Sequence, residues 1–170
     1  GVTVFRITPG MDDGPILGQS GFGITGFRAD RVNQLAVEYG SDLLTSLLEK
    51  KAHDQPLPER PQDHAQATYC QKITKEDGWL DPTAETAAAA LRKIRAYFPW
   101  PAAWITWQGK RIKLLDAEPT EAKVVPGRLV AENAGLLLGF VDGALKITQV
   151  QPEGKRVMSG KEFGSGLRKY

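Results

Sequence analysis

Apolar residues alternate loosely with polar ones from the start of the chain: Val2, Val4 and Ile7 mark an extended segment that Pro9-Gly10 closes. A second extended segment follows a polar turn, with Ile16 and Leu17 ahead of the glycine-rich run Ser20-Gly21-Phe22-Gly23-Ile24. The period then lengthens. Val32, Leu35, Ala36, Tyr39, Leu43, Leu44, Leu47 and Leu48 recur at helical spacing and predict an amphipathic helix that Asp30 can cap and that runs to Lys51. A strand followed by a long amphipathic helix reads as the last part of an α/β domain.

Residues 52–66 lose all periodicity, and Pro56, Pro58 and Pro61 stand among His, Gln, Asp and Glu as in an extended linker. Lys75-Glu76-Asp77-Gly78 makes a polar turn. Thr83 or a neighbour can start a helix that continues through Ala87-Ala88-Ala89-Ala90 and Ile94 to Tyr97, where Phe98-Pro99-Trp100-Pro101 stops it. From Ala102 onward the pattern is β: Trp104-Ile105-Thr106-Trp107, a Gln108-Gly109 turn, residues 112–115, 127–131, an Asn133-Ala134-Gly135 turn, 136–141, an Asp142-Gly143 turn and 144–150. About five short strands in hairpins predict a small closed barrel. Ser159-Gly160-Lys161-Glu162 is a capping-box pattern for a last helix ending near Gly164. No internal repeat is evident, and the expected organisation is 1–51, a linker over 52–83, and a β domain over 84–170.

Composition narrows the class without naming it. The 170 residues, 41% hydrophobic and 25% charged, suffice for one domain or two small ones. No apolar run approaches the roughly 20 residues of a membrane span, no basic-then-apolar leader opens the chain, and the single cysteine, Cys70, can form neither an intrachain disulfide nor a cysteine metal cluster. A cytoplasmic protein without membrane contact or bound metal is expected. The chain lacks an initiator methionine and opens inside a strand, so it reads as the later portion of a longer protein. Charge is divided unevenly: residues 1–85 hold 8 Lys and Arg against 13 Asp and Glu, a net of −5, and residues 86–170 hold 14 against 7, a net of +7. The second half is the one suited to a polyanion.

Candidate chemistry is sparse. In "GMDDGPILGQ" the pair Asp12-Asp13 precedes Gly14, which fits ordinary turn chemistry as well as a catalytic carboxylate at a strand end. His53 and His64 flank the proline segment as solvated residues; Cys70 has no basic or histidine neighbour in sequence; Gly21-Phe22-Gly23 is too sparse for a phosphate loop. Trp79, Trp100, Trp104 and Trp107 suit either packing or base stacking. Basic residues cluster as Arg92, Lys93 and Arg95, as Lys110, Arg111 and Lys113, and as Lys155 with Arg156.

Four stretches together resemble one family. "GVTVFRITPGMDDGPILGQ" resembles the segment of folate-dependent formyltransferases that carries a D-x-G-x-I/L motif after a strand; "ATYCQKITKEDGWLD", "IRAYFPWPAAW" and "DGALKITQVQPEGKRVMSGKEF" resemble the domain junction, the entry to the C-terminal domain and the closing strand and tail of methionyl-tRNA formyltransferases. The resemblance implies an α/β remnant of a Rossmann-like formyltransferase domain followed by a small OB-like β-barrel. It implies transfer of a formyl group from 10-formyltetrahydrofolate to the amino group of initiator methionyl-tRNA. It places the catalytic aspartate on Asp12, with Met11, Asp13 and Gly14 beside the folate co-substrate, and makes Arg92, Lys93, Arg95, Lys110, Arg111, Lys113, Lys155 and Arg156 candidates for tRNA phosphates, at least half of them expected to point away. The family's catalytic Asn and His, the latter in a His-Pro-Ser motif, have no counterpart here, so the missing N-terminal catalytic half would have to supply them and this chain alone would be inactive. The alternatives are a formyltransferase acting on a nucleotide sugar, a formyltetrahydrofolate hydrolase, and a non-catalytic RNA-binding module.

Overall fold

The computed structural model describes residues 1–132 and 135–167, which divide into two units, one from Gly1 to Gln71 and one from Lys72 onward. In the first unit Val2–Phe5 (β1) and Ile16–Ser20 (β2) form an antiparallel pair with Val4 opposite Gly18, and the register shifts at Phe5. The helix Ala29–Ala52 (α1) packs on both strands. Asp30 is not its cap: Arg28 holds that position, and Asp30 lies inside the first turn, where its carboxylate takes the Arg28 guanidinium at 2.7 Å and the Arg31 N–H at 3.0 Å. The Arg28 hydrogen bond holds the Asp30 carboxyl below its ordinary value, and a charge at that place also complements the helix dipole. Only part of the apolar stripe is covered. Leu47 is buried and Leu35 and Leu43 half-buried, while Leu44 and Leu48 remain exposed, because a two-stranded ribbon is narrower than the stripe.

The proline segment does not leave this unit freely. Arg60 exchanges both backbone hydrogen bonds with Ile16, at 2.8 and 3.0 Å, so residues near 60 lie along β2 as a third extended element. Asp63 then accepts the Ala65 N–H to start the single 3-10 turn His64–Gln66.

In the second unit the helix Ala87–Ala96 (α2) begins four residues later than Thr83. Thr86 caps it by accepting the Ala89 N–H at 3.1 Å, because Asp81 has already drawn the Thr83 N–H and hydroxyl into a turn of its own. The sheet comprises Ala103–Trp107 (β3), Lys110–Thr120 (β4), Leu129–Glu132 (β5), Gly135–Phe140 (β6), Gly143–Pro152 (β7) and Met158–Ser159 (β8), the last unforeseen from the sequence. The strand order is β3-β4-β7-β6-β5, with β8 on β7, all antiparallel. Among the described residues β3 and β5 do not pair, so the sheet is open where a closed barrel was expected. Helices bury its apolar face instead. Ala90, Leu91 and Ile94 of α2 join Leu114, Leu136, Phe140, Ile147 and Val150 in one core, and Phe163 and Leu167 of the helix Gly160–Leu167 (α3) pack against it.

The turn signals translate directly. Gln108 and Gly109 take φ of 48° and 74°, the left-handed pair that matches the twist of a tight β3–β4 hairpin. Ser159 accepts the Glu162 N–H at 3.1 Å and caps α3, which runs past Gly164 to Leu167. The expected Asn133-Ala134 turn lies outside the described residues.

Candidate functional site

In the first unit the chain leaving β1 makes a sharp loop into β2, and the loop's geometry rests on close backbone approach. The Arg6 N–H donates to Pro15 O at 3.0 Å across its neck. Gly14 is buried so tightly that an added Cβ would fall 1.8 Å from Arg6 O; no other residue type fits there without moving the strand. Asp12 takes φ of 55°, a left-handed conformation that Asp tolerates better than most residues.

The two adjacent carboxylates have different surroundings. Thr8 donates its hydroxyl to Asp13, which ties that side chain back to the strand end. Among the described residues nothing binds the Asp12 carboxylate, which is exposed and lines a cleft of about 780 Å³ together with Met11, Asp13, Gln62, His64 and Tyr69. Met11 stands at the rim, 93% exposed. Gly14 supports the loop from behind and is not among the lining residues.

Gln62 is a participant the sequence did not announce. Its side-chain amide donates to Asp12 O at 2.8 Å and to Gly14 O at 2.7 Å, so one NH2 group spans the backbone on either side of Asp13. Arg60 sets its position by pairing with β2. A glutamine in a proline-rich segment, 48 residues from Gly14, carries no local signal of such a role. His64 likewise reaches the Asp12 cleft, whereas His53 follows α1 and does not line it.

The basic candidates of the second unit separate into three groups. Lys93 is tied to Glu85 at 3.0 Å, and Arg156 to Glu162 at 2.6 Å. Arg92, Arg95, Lys110 and Lys155 form no ion pair among the described residues, but α2, the β3–β4 turn and the β7–β8 turn carry them separately. Arg111 and Lys113 are brought together on the outer face of β4, where they line a recess of about 270 Å³ with Gln151 and Glu153.

The tryptophans divide as well. Trp107 meets Phe163 edge-on at 5.9 Å and packs against the core, while Trp79 and Trp100 are 48% and 57% exposed. Trp104 is half-buried, donates its indole N–H to Lys75 O at 3.1 Å, and has the Arg111 guanidinium 4.0 Å above its ring. Cys70 is exposed. Among the described residues no helix is long and apolar enough to cross a membrane, and no group of His, Cys, Asp and Glu converges as a metal site requires.

Residues 72–168 match the family described as formyl transferase, C-terminal domain. A methionyl-tRNA formyltransferase of Chloroflexus aggregans is 37% identical over 176 aligned positions, which cover 98% of this chain and 55% of that protein. The chain thus spans about half the length of the curated relatives it matches. HypX from Aquifex aeolicus, solved in complex with tetrahydrofolic acid, superposes with a TM-score of 0.77 at 21% identity over 95% of this chain and 29% of its own. An N-formyltransferase from Helicobacter canadensis, in complex with folinic acid and dTDP-3-aminofucose, gives 0.62 at 17% identity, covering 88% of this chain and 54% of that one. These two likenesses concern the fold.

Proposed function

Because this chain belongs to the formyl transferase C-terminal domain family, we propose that it is the C-terminal portion of a methionyl-tRNA formyltransferase, which transfers a formyl group from 10-formyltetrahydrofolate to initiator methionyl-tRNA in the cytoplasm. One observation carries this reading: the likeness to the Chloroflexus enzyme runs through both units, so it includes the Asp12 loop as well as the family domain. On this reading the first unit closes a Rossmann-like catalytic domain, residues 52–83 link it onward, and the open sheet is an OB-like domain that holds tRNA.

The reaction needs an amine nitrogen to attack the formyl carbon, the bond from that carbon to the folate nitrogen to break, and the amine proton to pass to the departing nitrogen. The negative charge that develops on the formyl oxygen calls for hydrogen-bond donors, the Asn and His that the upstream half would contribute. Asp12, with an exposed carboxylate in the cleft and no internal partner among the described residues, is free to hold that His in its proton-carrying form and to assist proton movement. Met11 and Asp13 border the co-substrate, and Gly14 keeps the loop closed beneath it.

Asp12→Asn in the complete protein is therefore expected to lower formyl transfer by about 10²- to 10⁴-fold while leaving folding and tRNA affinity unchanged. Asp13→Asn is mild, since an amide oxygen still accepts from Thr8. Near-normal turnover of Asp12→Asn in a steady-state assay refutes the assignment. The fold likeness to the Helicobacter protein supports a second reading, in which the acceptor is a nucleotide-linked amino sugar. Offering both acceptors to the complete protein decides between them.

A further inference from the structure

The outer face of β3 and β4 carries an arrangement that phosphate neutralisation does not account for. Strand alternation sends Ala103 and Ile105 into the core and Trp104 and Thr106 outward, and on β4 it sends Ile112 inward and Arg111 and Lys113 outward. Lys113 lies opposite Trp104 in the ladder, and Arg111 opposite Thr106, so Arg111 reaches Trp104 diagonally and lays its guanidinium over the indole. Trp79 forms a parallel bridge with Trp104, and its inward neighbour Leu80 is buried, so Trp79 shares the outer face and is 48% exposed.

Arg111 itself is exposed and has no carboxylate partner among the described residues. Glu153, which lines the same recess, accepts the backbone N–H of Arg111 at 3.2 Å and forms no ion pair with its guanidinium among the described residues. A guanidinium already stacked on one side presents a second planar face that water solvates weakly, and a nucleobase stacks there without regard to its sequence. Lys113 stands beside it in the same recess for the attached phosphate. The cationic balance of this recess favours RNA over an apolar protein surface.

We propose that the Trp79–Trp104–Arg111 face binds an unpaired nucleotide of an RNA strand, the base stacking on the Arg111 guanidinium and its phosphate meeting Lys113. The proposal rests on the tRNA reading above and extends it from duplex phosphates to a single-stranded element.

Arg111→Lys separates stacking from charge, because it keeps the positive charge and removes the planar surface. The 170-residue chain and its variants would be titrated, at several salt concentrations, with a fluorescein-labelled 12-nucleotide single-stranded RNA and with a blunt-ended RNA duplex of the same strand length, which presents no unpaired nucleotide. Arg111→Lys and Trp104→Leu are expected to weaken single-strand binding about 5- to 100-fold, with duplex affinity and the salt slope unchanged. Lys110→Gln is the control that should weaken both ligands alike and lower the slope by up to about one. Circular dichroism establishes that each variant is folded, and Trp104→Phe, which keeps a smaller ring, should fall between wild type and Trp104→Leu. Wild-type affinity of Arg111→Lys for the single strand, or equal losses on both ligands, overturns the platform but leaves the tRNA reading standing. Absence of binding to either RNA at low salt overturns both and leaves the face to a protein partner.

Discussion

Removal of the Gln62 amide tests whether a residue distant in sequence fixes the Asp12 loop. Gln62→Leu deletes two hydrogen bonds, of 2.8 and 2.7 Å, to carbonyls on either side of Asp13. A hydrogen bond of this kind contributes about 0.5–1.5 kcal/mol net, so the pair stabilises the closed loop by about 1–3 kcal/mol, towards the lower end here because the Asp12 carbonyl is near solvent. The effect should be local. The segment around Arg60 would separate from β2 more often, and amide exchange at Ile16 and Arg60, whose N–H groups donate to each other's carbonyls, should accelerate about 5- to 150-fold, whereas Val4 in the β1–β2 ladder keeps its protection. Gln62→Glu sharpens the test, because an ionised carboxylate has no donor for either carbonyl and regains one only when protonated, so its excess exchange over wild type should diminish in acid. Unchanged protection of Ile16 and Arg60 in Gln62→Leu would refute the clamp.

Two further outcomes concern the second unit. Phe140→Ala removes a fully buried ring from the centre of the core and should cost about 3–5 kcal/mol, read as a lower urea midpoint for the sheet; a shift under 1 kcal/mol would contradict the packing described. The Asp77 carboxylate accepts first the Thr74 backbone N–H, at 2.6 Å, and then its hydroxyl, which hold its carboxyl below the ordinary 3.8, so the unfolded chain binds the proton more readily than the folded one. The resulting stability is present above pH 3.8 and is lost as pH falls through the lower folded value. The melting-temperature difference between wild type and Asp77→Asn should therefore shrink only below that pH, and a constant difference from pH 6 to 2 would exclude the linkage.

Local pattern determined what depends on neighbouring residues. The 3.6-residue period of Val32 to Leu48, the Gln108-Gly109 turn and the Ser159 cap each express steric or hydrogen-bonding preferences within a few positions, and all three appear where the residues predict. Boundaries slipped where a side chain found a competing partner: Asp30 took Arg28 instead of capping α1, and Asp81 claimed Thr83 and delayed α2. The open sheet could not be read from strand count, because closure depends on whether helices or strands cover the apolar face, and here α2 and α3 cover it.

The site divides in the same way. "MDDG" marked Asp12 rather than Asp13 through resemblance alone, and the tertiary structure adds a physical difference between the two by drawing Thr8 to the Asp13 carboxylate and leaving that of Asp12 facing the cleft. Gln62 and the Trp104–Arg111 stack join residues 48 and 7 positions apart through strand pairing. Charge clustering could nominate Lys93 and Arg156 as phosphate ligands, yet it carried no information on Glu85 and Glu162, which the fold places against them. A sequence fixes which groups a chain carries and the local conformations they favour; which groups meet follows from the shared burial of apolar faces, a property of the whole chain.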